Sequence, residues 1–218
     1  MSTGIFREPV NSVTHLLGAL LSLAGAAVLL VAARGDPWQS VAFAIYGTSL
    51  VLLFTASTLL HALKVGPGQL RRLRLFDHSA IFLLIAGTYT PVLLLVLRPE
   101  HPLAAWALLA GVWVLAAAGI GFKIAWLSAP RWLSTGIYLA MGWLALAAIV
   151  PLARLLPPSG FAWLVAGGAF YTVGAVIYAL KRPDPLPGRF GYHEIWHLFV
   201  LAGAGSHYLL MLGLAGPA

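Results

Sequence analysis

The chain has 218 residues, of which 61% are hydrophobic and only 9% charged, and its mean hydropathy is +0.91. A soluble domain carries about 25% charged residues because its surface must be solvated, so this composition excludes a water-soluble globular protein and predicts a surface that lies mostly in lipid. Cysteine is absent, which excludes disulfides and thiolate metal ligands, and the net charge of +7 leaves either nucleic acid or a membrane as its cause.

Seven apolar segments predict transmembrane helices. Crossing about 30 Å of hydrocarbon takes roughly 20 residues, and only helices satisfy the backbone polar groups of such segments in lipid. In chain order the segments are 12–33, 39–63, 76–97, 103–123, 132–152, 161–181 and 193–214. The first is too long for an ordinary signal peptide. We therefore predict an all-α integral membrane protein with one seven-helix domain over residues 1–218.

The basic residues predict the orientation of the bundle, because cytoplasmic loops are enriched in Lys and Arg. One side holds Arg7, Lys64, Arg71, Arg72, Arg74, Lys123, Arg131, Lys181, Arg182 and Arg189, and the other holds Arg34, Arg98 and Arg154. This places the N-terminus in the cytoplasm and the C-terminus outside, in a multi-pass protein of the plasma or inner membrane. The same distribution explains the net charge without nucleic acid, so membrane lipids are the expected partners; the oligomeric state stays open.

Spans 2 and 3 carry polar residues at matching depth. His61 lies near the cytoplasmic end of span 2, Ser57 lies one turn deeper, and Asp77 is expected in the first turn of span 3. Intramembrane polar residues are costly and usually functional. Two alternatives stay open: Asp77 pairs with an arginine of segment 71–74, and Ser57 bonds the carbonyl one turn back in its own helix.

The stretch HEIWH opens span 7 and places His193 and His197 four residues apart, on one helix face. Two imidazoles there can share a metal ion, and His61 supplies a third nitrogen from another helix, leaving a fourth tetrahedral position for water. The residues thus predict a Zn²⁺ site of His61, His193 and His197. Asp77 is the candidate base or water-orienting group, and Ser57 its hydrogen-bonding neighbour.

The same stretch has the H-E-x-x-H pattern of zinc peptidases, in which the glutamate is the general base. An intramembrane peptidase would also need a carboxylate ligand from another span. Apart from Asp77, the remaining acidic residues lie in tails or loops, namely Glu8, Asp36, Glu100 and Asp184. A peptidase is therefore weakly supported, and Glu194 is expected in the first turn of its helix, where the dipole favours negative charge.

The other histidines and one proline have local interpretations. His15 either lines the site or caps its helix, and His78 lies about 100° around the helix from Asp77, which does not favour a shared ion. His207 is expected to be buried and hydrogen-bonded to a neighbouring helix, while His101 in an outer loop is assigned no role. Pro91 in the stretch GTYTP predicts a kink in span 3.

Four stretches carry a family resemblance: EPVNSVTHLLGA, ASTLLHAL, FDHSAIF and HEIWHLFV. Their residues and order resemble the bacterial hemolysin III proteins, which are related to the progestin and adiponectin receptor (PAQR) proteins and more distantly to the alkaline ceramidases. The resemblance covers essentially the whole chain. It implies zinc held by His61, His193 and His197 with Asp77 and Ser57 around the water, and hydrolysis of lipid amides by analogy with the ceramidase branch. It also implies cytolysis or membrane homeostasis for the bacterial branch.

Three functions follow from these observations. The first is a zinc-dependent hydrolase of lipid amide or ester bonds. The second is a non-enzymatic regulator of the membrane with a structural zinc, which a closed site with a fourth protein ligand would favour. The third is a cytolysin, which needs a polar pore, and the outer halves of the spans offer few polar residues to line one.

Overall fold

Seven long helices make up the fold. The structure is a computed structural model that describes residues 6–33 and 35–216; Arg34, which entered the charge count above, lies outside these residues. Within them, seven helices are long and apolar enough to cross a membrane. They are α1 (Pro9–Ala32), α2 (Pro37–Ala62), α3 (Pro67–Glu100), α4 (Pro102–Ala125), α5 (Arg131–Leu155), α6 (Pro158–Leu180) and α7 (Tyr192–Leu214). The prediction of an all-α seven-helix membrane protein is confirmed.

The helix starts follow from local chemistry. Proline occupies the beginning of five helices, where its missing N–H costs no hydrogen bond, at Pro9, Pro37, Pro67, Pro102 and Pro158. Asp36 caps α2 by accepting hydrogen bonds from the backbone N–H groups of Trp38 at 2.8 Å and Gln39 at 3.2 Å. The predicted spans agree with the observed helices except at the start of α3.

Helix α3 begins at Pro67, well before the predicted start at residue 76. The basic segment that precedes the apolar run is rich in Leu and Arg, which favour helix, so the helix continues beyond the apolar stretch. Hydropathy marks the part of a helix that suits lipid, and the helix itself is longer. The expectation that Asp77 lies in the first turn is therefore wrong; it lies ten residues after the helix start.

Helix geometry departs from regular α-helix at two places. A π-helical segment, Val92–Leu97, directly follows Pro91 in α3, at the proline that predicts a kink. In α5 the segment Trp143–Ala148 is a 3₁₀-helix. The Tyr89 hydroxyl serves this segment by donating to the Gly142 carbonyl and accepting from the Ala145 N–H, each at 2.6 Å. Such side-chain bonds make irregular backbone tolerable at membrane depth.

The helices form a ring that encloses a cavity. Contacts run from α1 to α2, α2 to α3, α3 to α5, α5 to α6, α6 to α7 and back from α7 to α1, while α4 packs mainly against α3. Small residues allow close helix approach, as at Gly167 of α6, where a Cβ atom would lie 2.2 Å from the His207 ring of α7. The ring brings the last turn of α2 beside the first turns of α7.

Candidate metal centre

Three histidines converge at one end of the bundle. His61 lies in the last turn of α2, and His193 and His197 lie in the first two turns of α7. One ring nitrogen from each lies within 4.8 Å of the others. The ring centroids are 4.8 Å apart for His61 and His197, 4.9 Å for His193 and His197, and 5.0 Å for His61 and His193. The three residues of the sequence hypothesis are thus brought together by the fold.

Glu8 contacts His61 through both its side chain and its backbone. The Oε2 atom of Glu8 lies 2.5 Å from Nδ1 of His61, and the Glu8 backbone N–H donates to the His61 carbonyl at 2.9 Å. Burial by itself raises the pKa of Glu8, but hydrogen bonds from His61 and Asn11 and the nearby Arg7 outweigh it and lower the pKa to about 2. An ionised carboxylate only accepts hydrogen bonds, so Nδ1 of His61 carries the proton. In a neutral imidazole Nε2 then keeps its lone pair, the form that binds a metal.

Asn11 connects two carboxylates at the edge of the cluster. Its amide donates to Glu8 Oε2 at 3.1 Å and to Glu194 Oε1 at 2.9 Å. The other oxygen of Glu194 accepts the Gly191 N–H at 2.8 Å, within the first turn of α7. The expected position of Glu194 in the first turn is confirmed, with one of its oxygens bonded to the start of α7 and the other to Asn11 of α1. This arrangement does not favour Glu194 as the base of a peptidase.

His15 packs against the cluster from α1. Its ring stacks on the ring of His197 with centroids 3.7 Å apart, and its Nδ1 lies 2.7 Å from the Ser57 hydroxyl. Of the two interpretations of His15, the structure shows the one in which it lines the site. Nε2 of His15 and Nδ1 of His197 are buried without a hydrogen-bond partner in the described part of the chain. The unpartnered nitrogen of His197, which belongs to the group of three histidines, fits a bound metal.

Asp77 and Ser57 lie beside the cluster. The Asp77 carboxylate interacts with the Ser57 hydroxyl and with His61. The ion pair found for Asp77 within residues 6–33 and 35–216 is with His78, whose Nδ1 lies 3.5 Å from Oδ2 and closer, at 2.8 Å, to the Arg74 carbonyl. The structure therefore shows Asp77 turned toward the site, not paired with the arginines of segment 71–74.

The cluster forms one end of a large cavity of about 610 Å³. His15, Ser57, His61, Asp77, His193 and His197 all line it, and its walls continue with apolar residues that include Leu84, Val92, Leu108, Leu152 and Val200. The cavity reaches His207, which lies about 15 Å further along α7 at 1.5 Å per residue. His207 is buried and its Nε2 lies 3.2 Å from the Leu164 carbonyl of α6, as predicted. The cavity thus has a polar end and a long apolar part.

Glu8 is the site residue whose role the sequence did not reveal, whereas Asn11 shares a helix face with His15, the position from which a residue can line the site. In the sequence, Glu8 lies outside the apolar run, among the residues of the tails and loops. The local signal is its place immediately before Pro9, at the start of α1 and three residues before Asn11. That spacing predicts contact within one helix turn, but it does not predict contact with α2 or α7.

Fold and site together define the class: a seven-helix membrane protein with a buried group of three histidines at one end of the bundle. Residues 3–208 match the family model described as "Haemolysin-III related". The chain is 43% identical to Hemolysin-3 of Bacillus cereus, over 97% of this chain and 93% of that one. It is 41% identical to the Hemolysin-3 homolog of Bacillus subtilis strain 168, over 95% and 94% of the two chains.

A more distant similarity extends to animals. The human monocyte to macrophage differentiation factor is 29% identical over 93% of this chain and 82% of the human one. The chain belongs to the haemolysin III-related family, and the resemblance found in its motifs is confirmed.

Proposed function

We propose that this protein is a zinc-dependent membrane hydrolase that acts on an amide or ester bond of a lipid. The observation that carries the proposal is the placement of the three-histidine cluster at the polar end of a cavity whose other walls are apolar. Ligand pockets typically combine a mostly apolar lining with a few convergent polar groups. A lipid tail fits the apolar part, and its headgroup linkage would then lie at the histidines.

The metal would be held by His61, His193 and His197, which are the three ligands of this group in the described part of the chain. Catalytic zinc sites likewise have three protein ligands and leave a fourth position open. When bound, zinc supplies Lewis-acid polarisation and a water whose pKa is lowered toward about 7. Glu8 keeps the proton of His61 on Nδ1. His61 and His197 are buried and His193 is partly buried, and such low exposure strengthens electrostatic interactions at the site.

Asp77 is the candidate proton acceptor. Its carboxylate lies beside Ser57 and His61 in the cavity wall, so it can take a proton from the attacking water and return it to the leaving amine or alcohol. Ser57 orients Asp77, and its hydroxyl is fixed by Nδ1 of His15 at 2.7 Å. The proposed catalysis thus uses the metal with its three histidines, Asp77 as the proton acceptor and Ser57 as its orienting neighbour.

The proposal places the site in the cytoplasmic layer of the plasma or inner membrane. This orientation rests on the sequence, in which ten basic residues are expected on the side of the cluster and three on the other side. A lipid would enter between helices, with its headgroup on the cytoplasmic side.

Turnover by the zinc-loaded protein in detergent micelles or nanodiscs tests the proposal, with lipid amides and lipid esters as substrates and Asp77→Asn as the matched variant. Release of fatty acid by the wild type and its loss in Asp77→Asn, at equal zinc content, supports the hydrolase. Equal zinc content and no turnover with either substrate class supports the non-enzymatic alternative, in which the zinc is structural.

The names of the Bacillus relatives suggest cytolysis as a second candidate function for this chain. Leakage of a dye from vesicles that contain the purified protein tests it. Leakage that is equal in the wild type and in His197→Ala would show membrane damage independent of the histidine cluster.

A further inference from the structure

Four cations lie on the wall of the cavity that holds the histidine cluster, and one of them, Arg7, pairs with Glu8. Arg74, Lys123 and Arg131 come from α3, α4 and α5 and are not used by the proposed hydrolysis. Among residues 6–33 and 35–216, the ion pairs found involve other side chains. Glu8 and Asp77 also line the cavity, but the ion pairs found for them are with Arg7, His61 and His78. The other three cations therefore favour a ligand that brings its own negative charge.

Lys123 is the most unusual of the three, because it is only 1% exposed. Its Nζ donates to the Ser134 hydroxyl of α5, and the ring of Phe122 lies 5.5 Å from Nζ. An ammonium group has three donors, and one hydroxyl satisfies a single one. Burying a charge is costly unless it is paired, so the position of Lys123 points to an anionic partner that the cavity receives from outside the chain.

Arg131 is held in place at the same end of the cavity. Its guanidinium lies 4.5 Å from the ring of Tyr178 and 5.2 Å from that of Tyr192, and Nη1 donates to the Tyr178 carbonyl at 3.3 Å. The Tyr178 ring is in turn 5.5 Å from the ring of His193. A fixed guanidinium beside the cluster suits phosphate, whose oxygens match the planar N–H groups of arginine.

Arg74 and Lys123 are linked to the same region through His78. Both cations interact electrostatically with the His78 ring, and Arg74 also interacts with Tyr178. His78 adjoins Asp77, the candidate base. The three cations thus line the cavity, with Arg131 beside Tyr178 and near His193 at its polar end, while the apolar walls lead away from that end.

We propose that the cavity binds lipids whose headgroup carries a phosphate, with the phosphate on Lys123 and Arg131 and the acyl chain in the apolar part. The inference rests on the proposed function and names its substrate class: phosphate-bearing lipids. Arg74 adds to the positive potential without a direct role. Charge-assisted hydrogen bonds to the phosphate should make the cavity bind such a lipid more tightly than an uncharged lipid with the same acyl chains.

Binding by native mass spectrometry of the zinc-loaded protein tests this inference without requiring turnover. The probes are phosphatidylglycerol, diacylglycerol with the same acyl chains, and inorganic phosphate. We expect phosphatidylglycerol to bind about tenfold more tightly than diacylglycerol. Lys123→Met, which keeps most of the length of the side chain without its charge, should remove most of this preference. Inorganic phosphate alone should bind weakly, because it lacks the acyl chain.

Two control variants separate the inference from simpler explanations. Arg72→Gln removes an exposed cation of α3 that does not line the cavity, and the preference should persist. Ser134→Ala removes the hydrogen bond between α4 and α5 but keeps the ammonium, and the preference should again persist. If Lys123→Met and Ser134→Ala lost the preference for phosphatidylglycerol to the same extent, Lys123 would act only as a structural link between the helices, and the inference would be overturned.

Three other outcomes also overturn it: equal binding of the two lipids by the wild type, loss of the preference in Arg72→Gln, and full competition by inorganic phosphate at the concentration of the lipid. Zinc content measured in the same samples keeps the two proposals apart. A lipid preference that depends on Lys123, in a protein that holds zinc but releases no fatty acid, supports the headgroup site while contradicting the hydrolase.

Discussion

Glu8 lies outside the predicted spans, yet its carboxylate contacts the His61 imidazole, 53 residues away in sequence, at 2.5 Å. The contact ties the start of α1 to the end of α2 twice, because the backbone of Glu8 also bonds that of His61. It determines which nitrogen of His61 carries the proton. A carboxylate behind a metal-binding histidine orients the ring and raises its basicity.

Replacing Glu8 by glutamine should therefore weaken zinc binding while leaving the three histidines in place. The amide keeps the shape of the side chain but not its charge, and loss of such an orienting partner typically costs roughly 10- to 100-fold in metal affinity. Competition with a chelator measures the affinity. Glu100→Gln, which changes an exposed acid at the end of α3, is the matched control and should bind zinc as the wild type does. Equal affinity of all three proteins would show that the contact does not tune the site.

Asp77→Asn should abolish most turnover without removing zinc. Asparagine cannot accept the proton, and loss of a general base typically costs about 10²- to 10⁴-fold in rate. Rates of fatty-acid release at saturating substrate, with zinc content measured in parallel, give the result. If Asp77→Asn lost its zinc along with its activity, Asp77 would be needed for the metal site itself and the assignment as base would be wrong.

A pair of adjacent glycines in α6 tests the packing that forms the ring. Gly167→Ala would place a Cβ atom 2.2 Å from Nε2 of His207, while Gly168→Ala would place one with no atom within 4 Å apart from its chain neighbours and the backbone of its own helix. Overpacking typically costs about 1–3 kcal/mol, whereas alanine in an open helical position favours the helix. Thermal unfolding in detergent should show a lower Tm, by about 2–4 °C per kcal/mol, for Gly167→Ala only. An equal Tm for both variants would contradict the close contact between α6 and α7.

The spans were predictable because apolar length and turn-forming breaks are local properties of the sequence. The three histidines were predictable as a group because their depths follow from helix rise and from the direction of each span. The start of α3 was not predictable, since hydropathy records the lipid-facing part of a helix and not its full length. The contacts of Glu8 and Lys123 were not predictable either, because each contact depends on which helices become neighbours in the ring.

Zinc content of the purified protein tests the central claim most directly. The wild type, His61→Ala, His193→Ala and His197→Ala are compared with His101→Ala, which changes a histidine of the loop between α3 and α4. The account predicts about one zinc per chain in the wild type and in His101→Ala, and loss of zinc in the three cluster variants. Zinc that is absent from the wild type, or equal in all five proteins, would contradict the metal centre and the hydrolase that depends on it.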